Sequence, residues 1–248
     1  MSTQTVIRKD LDEIARKAYL HDSTGEGAIE TIVNATHVPG LLRRLQAGEA
    51  VLEMGFGEGT ITQPLLEAGF RVELVEGSPA LCKDARARYG DQLTVHCSYF
   101  EDFKPAKPFA NVLSLHVLEH VDEPERVVRQ MYDWLQPGGQ VIAIVPNAES
   151  LHRQLAVLMG LQEQHDSLSP RDHLVGHQRV FNLAQLADLF EAAGFEVGEP
   201  FGYFVKIVPN GMMKDWRPDL IQSLTRISDQ LPPRLLANIG LVARRPQS

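Results

Sequence analysis

A-V-L-E-M-G-F-G-E-G-T-I-T-Q-P-L-L, residues 50–66, decides the fold. Val51 and Leu52 form a short apolar run that ends in Glu53. Gly55, Gly57 and Gly59 follow, and a helical pattern then carries Ile61, Leu65 and Leu66. The order is strand, tight turn, helix. Glycine serves where the backbone takes positive φ, or where a ligand lies against it with no Cβ between. The helix after the turn aims its free N–H groups at that ligand. The spacing excludes two common ligand loops. A dinucleotide fingerprint G-x-G-x-x-G/A counted from Gly55 puts its third small residue on Thr60. A phosphate loop needs Gly-Lys-Ser or Gly-Lys-Thr, and the chain contains neither. An acid at the strand end suits a cationic ligand better than a phosphate.

The next unit points the same way. Arg71 to Val75 reads as a second strand, ending in Glu76-Gly77-Ser78-Pro79. Ser78 is a good N-cap and Pro79 a good first helical residue. Glu76 lies roughly 20 residues past the first glycine, the distance at which an acid meets a ribose in mononucleotide-binding βαβ units. Leu93 to His96, Val112 to Leu115 and Val141 to Val145 are further strands. Helices over Pro79–Tyr89 and from Asp122 to Leu135 separate them, the latter stopped by Gln136-Pro137-Gly138-Gly139. Strands alternating with helices predict a parallel sheet covered on both faces. Ligands in such sheets bind at the carboxyl ends of the strands. That brings Glu53, Glu76, Tyr99 and His116 to one crevice.

Size and charge are those of one globular α/β domain: 248 residues, 44% hydrophobic, 23% charged, net charge −8. The acidic balance disfavours nucleic acid as partner. Cys82 and Cys97 lack metal-ligand or redox spacing and are assigned as small buried residues. The N-terminus does not resemble a signal peptide, and no apolar run approaches a membrane span, so a cytoplasmic protein without membrane contact is expected. Residues 1–48 carry three helical patterns: Leu11 to Ala18, Ala28 to Val33, and a third after Pro39 through Leu45.

Glu53-Met54-Gly55-Phe56-Gly57-Glu58-Gly59, then Glu76, L-H-V-L-E-H-V-D-E-P at 115–124 and L-Q-P-G-G at 135–139 resemble a class I S-adenosylmethionine-dependent methyltransferase. The likeness is closest to the bacterial ubiquinone-pathway and small-metabolite group, and it runs from about residue 45 to 245. It implies a Rossmann-like doubly wound, mostly parallel seven-stranded sheet with an antiparallel last strand. A single domain is expected: a helical cap (1–48), a cofactor-binding core (49–147), a substrate lid (148–182) and the C-terminal part of the sheet (183–248). The cofactor is expected against Glu53, Gly55, Phe56, Gly57, Gly59, Glu76, Gly77, Ser78, Tyr99, Phe100, Glu101, Leu115 and His116. Tyr99 stands where the family usually has an acid, and Ala110-Asn111 where it often has Asp. The adenine contacts are therefore the least determined. Phe103 is assigned to the core. The cap commonly folds over the site in this family, and Tyr19 and His21 are its candidate polar contacts.

Two groups lie beyond the cofactor. His116-Val117-Leu118-Glu119-His120 has the letters of some zinc proteases, but it leaves a strand where that motif needs a helix. Some methyltransferases with E-x-x-E-H here bind a divalent ion with a later histidine; this chain has His116 for the first Glu. No metal is assigned. His116 is placed in the pocket, with Glu119 and His120 supporting the loop. The second group is Asp172 to Phe181, in the long connection after the fifth strand. It resembles the G-H-x-R-x-F/Y segment that faces the acceptor in many metabolite and glycan methyltransferases. His173 and Arg179 are assigned to the acceptor, as are Lys206 and Asn210. His116 and His177 are the candidate bases, and Leu151 to Leu161 is an amphipathic lid helix. The expected activity is methyl transfer to an oxygen, or a nitrogen, of a secondary metabolite or sugar-type acceptor, by a monomer or homodimer. An RNA or protein methyltransferase, or a cofactor-binding module without transfer, are the alternatives.

Overall fold

The computed structural model describes residues 10–18 and 27–247. The chain gives α1 (Leu11–Ala18), α2 (Gly27–Leu42), β1 (Ala50–Met54), α3 (Thr62–Glu67), β2 (Arg71–Glu76) and α4 (Pro79–Tyr89). Then come β3 (Leu93–Cys97), β4 (Phe109–Leu115), α5 (Pro124–Trp134), β5 (Leu135–Pro146), α6 (Leu151–Leu158), α7 (Pro170–Val175) and α8 (Leu183–Glu191). β6 (Glu196–Val197), β7 (Phe201–Tyr203), α9 (Pro218–Arg226) and β8 (Asn238–Arg244) complete it. The sheet order is β3-β2-β1-β4-β5-β8-β6, with β7 also paired to β8. β1 to β5 are parallel, and β8 runs antiparallel to β5, Ala143 opposite Leu241.

Period-2 alternation on β1 sends Leu52 and Met54 to one face and Val51 to the other. Leu52 and Met54 meet Val127, Met131, Trp134 and Phe190 from α5 and α8. Val51 meets Leu65, Leu81, Val33 and Ile221 from α3, α4, α2 and α9. Both faces are covered, so the central strands β1, β4 and β5 are mostly apolar. Each large side chain buried this way contributes about 1.5–3 kcal/mol. Phe103 joins this core, edge-on to Trp134.

The departures from expectation have local causes. The sixth strand is split into β6 and β7, giving eight strands. Gly198 still donates to Val242 O (2.9 Å), but Pro200 has no N–H to continue the ladder. The second and third helical patterns are one helix, α2, with Pro39 inside. Pro39 falls in its last turn, where the missing N–H costs a single helical bond. Asn111, in place of the family's acid, is wholly buried and knits three segments. It accepts from Gln46 N (2.8 Å) and Gln140 Nε2 (3.1 Å) and donates to Gln46 O (3.2 Å). Cys82 is buried as expected, but Cys97 is exposed at the sheet edge where β3 ends. Among the described residues no helix is long and apolar enough to cross a membrane.

Candidate functional site

Three strand ends build one rim. Gly55 (φ 78°) and Gly57 (φ 53°) turn the chain after β1. Gly55 N donates to Val75 O at 2.9 Å. The Glu76 carboxylate at the end of β2 then locks the turn, accepting from Phe56 N (2.9 Å) on one oxygen and Ser78 N (2.6 Å) on the other. Each oxygen keeps a further lone pair. Burial raises the Glu76 pKa, opposed by those backbone bonds. Glu53, 3% exposed, accepts from Thr62 Oγ1 at 2.8 Å. Burial pushes its pKa up to about 8, against the Thr62 bond and with the Glu76 charge adding. Its carboxyl is therefore held mainly in the neutral form near pH 7. α1 closes this end. Asp12 bonds the Ser78 hydroxyl and accepts from Ala80 N (3.0 Å), and Leu11 packs over Gly77.

The rim opens into a cavity of about 470 Å³. Glu30, Asn34 and His37 line it from one face of α2, at i, i+4 and i+7. Beyond β4, His116 takes φ 55°, a left-handed conformation uncommon outside glycine. Its N–H donates to Ile144 O (2.9 Å), which holds it at the sheet edge. Its Nδ1 lies 3.2 Å from Glu119 Oε1 and its Nε2 3.0 Å from Tyr203 Oη. Burial would lower the His116 pKa, but the bond to Glu119 and that carboxylate's charge more than offset it, and the net shift is upward. The Tyr203 ring stacks on His37, centroids 3.7 Å apart. Burial, with Arg44 and His116 adding, pushes the His37 pKa down to about 4.

The lid forms the other wall. Ser169 caps α7 in a capping box with Asp172. Asp172 bonds Arg153 NH2 (2.7 Å) and His177 Nδ1 (2.8 Å). Arg153 also donates to Ser167 O (2.8 Å). Burial would raise the Asp172 carboxyl, but the His177 bond and Arg153 hold it well below the usual carboxylate range. Glu119, His120 and His177 bring ligand-type atoms within 4.8 Å of one another. His177 presents Nε2 to Glu119 Oε1 at 3.9 Å, because Asp172 holds its other nitrogen. His120 is bonded to the Gly176 backbone, and burial pushes its pKa down to about 4. Two imidazoles and a carboxylate, the imidazoles anchored from behind, are a donor set able to hold a divalent transition ion.

The sequence-assigned residues divide clearly. Glu53, Gly55, Phe56, Gly57, Glu76, Gly77, Ser78, Tyr99, Phe100, Leu115, His116, His177, Lys206 and Asn210 line the cavity. Gly59 does not; a Cβ there would meet the Phe56 ring at 2.9 Å, so it serves packing. Glu101 is also outside the lining, its carbonyl accepting from Gln130 Nε2 (2.8 Å). His173 is exposed on α7, off the cavity. Arg179 points its guanidinium at the carbonyls of Leu118 (3.1 Å), Val121 and Asp122 (3.3 Å), stapling the lid to the β4–α5 loop rather than meeting an acceptor. Tyr19 and His21 lie outside the described residues. Sequence reasoning missed Glu30, Asn34 and His37, His152, and Tyr203. The polar stripe on α2 was visible as spacing, but not its direction.

The methyltransferase domain family matches residues 32–199. Over 158 residues the chain is 30% identical to a probable S-adenosylmethionine-dependent methyltransferase of Mycolicibacterium smegmatis, covering 64% of this chain and 56% of that one. It is 30% identical over 117 residues to the ubiquinone biosynthesis O-methyltransferase of Xanthomonas euvesicatoria, covering 45% and 49%. The chain thus spans about half the length of the curated relatives it matches. The chain complexed with the Haloferax volcanii Trm112 methyltransferase activator shares the fold, with TM-score 0.64, 17% identity and 98% of each chain covered.

Proposed function

The chain belongs to the methyltransferase domain family, and from that premise we propose that it transfers the methyl group of S-adenosylmethionine to an oxygen, or a nitrogen, of a small-molecule acceptor. One observation carries the reading. The glycine turn and a polar chamber walled by α2, His116 and the lid are parts of the same cavity. The residues present fit the cofactor. Glu76 suits ribose hydroxyls, the turn at Gly55 and Gly57 lets backbone lie against the ligand, and Glu53 is a buried carboxyl that a cationic amino acid group beside it would ionise. When bound, S-adenosylmethionine supplies a methyl on a sulfonium, with a neutral thioether as leaving group.

The chain's own part is positioning and proton removal. A small acceptor held between α2 and His116 is oriented toward the methyl, which converts the reaction to an effectively unimolecular one. His116, braced through Nδ1 by Glu119, offers Nε2 to the acceptor in exchange for Tyr203 Oη. With the cofactor bound, that nitrogen would take the acceptor proton. His177, fixed by Asp172, faces the Glu119 carboxylate at 3.9 Å and joins the ion-competent group beside it. His177→Ala is expected to leave S-adenosylhomocysteine affinity within about twofold and to lower turnover by at most about 10²-fold, the contribution of the His116 base that Glu119 braces. Titration calorimetry and initial rates check the two halves; normal turnover removes His177 from the mechanism.

Methylation of RNA or protein is the competing reading. The likeness to the chain complexed with an activator is one of fold alone at 17% identity, and the net charge of −8 opposes a nucleic acid. The decisive experiment incubates the protein with methyl-labelled S-adenosylmethionine and an extract of its own organism, then separates products by size. Label in the low-molecular-weight fraction is expected. Label on RNA or protein selects the competing reading.

A further inference from the structure

The acceptor chamber contains buried polar atoms that the protein itself does not satisfy. Three of them, His37 Nε2, His152 Nδ1 and Asn210 Oδ1, come from α2, α6 and the turn after β7, and their residues line the cavity. Asn210 is 3% exposed. Its amide orientation is fixed, because Nδ2 donates to Glu30 Oε1 at 2.7 Å, so Oδ1 is the atom left to accept. Buried polar groups are almost always paired; these three atoms lie just behind the cavity lining, closed to water in this conformation, so a ligand group reaches them as the side chains shift on binding, and they describe the ligand that pairs them.

Resting on the small-molecule reading above, we infer that the acceptor is a polyhydroxylated, carbohydrate-type compound whose hydroxyls engage His37, His152 and Asn210. The chemistry selects hydroxyls over the other common groups. A carboxylate only accepts, so it leaves Asn210 Oδ1 unpaired and is repelled by Glu30 beside it. An apolar or polyprenyl chain leaves all three atoms without partners. A hydroxyl donates to Asn210 and pairs with either nitrogen of an imidazole, as donor or acceptor. Both imidazoles are held neutral. Burial pushes the His37 pKa down to about 4, and burial with Lys206 and Arg153 pushes that of His152 to about 2. The stacked pair of His37 and Tyr203 also gives the chamber an aromatic wall, against which the C–H face of a sugar ring packs.

The test takes the labelled product from the low-molecular-weight fraction and partitions it between water and octanol, then treats it with periodate, which cleaves vicinal diols. Retention in water and cleavage by periodate support the inference. Label in octanol, or a periodate-resistant product, overturns it while leaving small-molecule transfer standing. Label on macromolecules overturns both. On the purified acceptor, His37→Phe keeps a ring against Tyr203 and removes only the nitrogens, and Asn210→Ala removes the amide. Each is expected to raise KM about tenfold, the effect of one lost buried partner, with S-adenosylhomocysteine affinity unchanged as the control for folding. Unchanged KM in both variants overturns the inference.

Discussion

Gly57→Val is expected to reduce S-adenosylhomocysteine affinity by at least about 100-fold while shifting Tm by only a few degrees. Gly57 sits at φ 53° in the turn that borders the cavity. An L-residue there costs roughly 1–2 kcal/mol, and a β-branched one is a steric outlier. The turn has two ways to respond. If it keeps its φ, the valine strains the backbone and stands where the ligand lies against bare peptide. If it rotates out of the left-handed region, Phe56 N loses its 2.9 Å bond to Glu76, and the carboxylate proposed to meet the ribose loses its orientation. Both routes act on binding more than on the core, since Val51, Leu52 and Met54 are already packed before the turn begins. Gly57→Ala should fall between wild type and valine. Gly59→Ala offers the contrast: its Cβ meets the Phe56 ring at 2.9 Å and Tyr89 Oη at 3.3 Å, so stability should fall ahead of affinity. Calorimetry of all three variants checks the ordering. Binding by Gly57→Val within tenfold of wild type sinks this account of the turn.

The turn was legible because its chemistry is local. Strand, glycines, N-cap and the Glu76 offset are all written within about 30 residues, the length of one βαβ unit. The same held for β1 to β4 and their helices, but β5 runs from Leu135 to Pro146, so Gln136-Pro137-Gly138-Gly139, read as a helix stop, lies inside the strand, paired to β4 from Leu135 on. Legibility failed where a side chain had two chemically equivalent partners. Arg179 has a fork that fits a ligand anion or a set of carbonyls, and only the approach of residues 118–122 decides for the carbonyls. Glu30, Asn34 and His37 share a helix face by spacing alone, but which way that face points depends on α2 packing against α9 and the sheet. Tyr203 reaches His116 across 87 residues of chain, and no local signal marks it. Cys97 went wrong for a related reason. A strand-end residue is buried or exposed according to its place in the sheet, and β3 is an edge strand.

Asp172→Ala is expected to destabilise the lid by about 3–5 kcal/mol and to suppress turnover more than cofactor affinity. Arg153 and Asp172 are buried together, 5% and 6% exposed. Removing the carboxylate leaves a guanidinium in the interior with only the carbonyls of Ser167 and His165 as partners. Breaking one side of a buried pair costs that much because the remaining charge stays desolvated. The capping box at Ser169 goes with it, and so does the bond that orients His177. The glycine turn and Glu76 touch this group only through α1, which sets Ile14 beside Gly176 and Asp12 on Ser78, so cofactor affinity should fall less than turnover. The double variant Arg153→Leu/Asp172→Leu separates charge from catalysis. With no stranded charge, it should regain much of the lost Tm, yet turnover should stay low because His177 still lacks its anchor. The acid dependence follows with its sign. The folded Asp172 carboxyl lies below its unfolded value, so its contribution is present above that unfolded value and is lost as pH falls through the folded one. The lid should therefore hold through neutral and mildly acidic conditions, with its amides protected from hydrogen exchange in wild type and exposed in Asp172→Ala across that range. Equal protection in both proteins would show that the lid is held by something other than this ion pair, and His177 would then keep its position without Asp172.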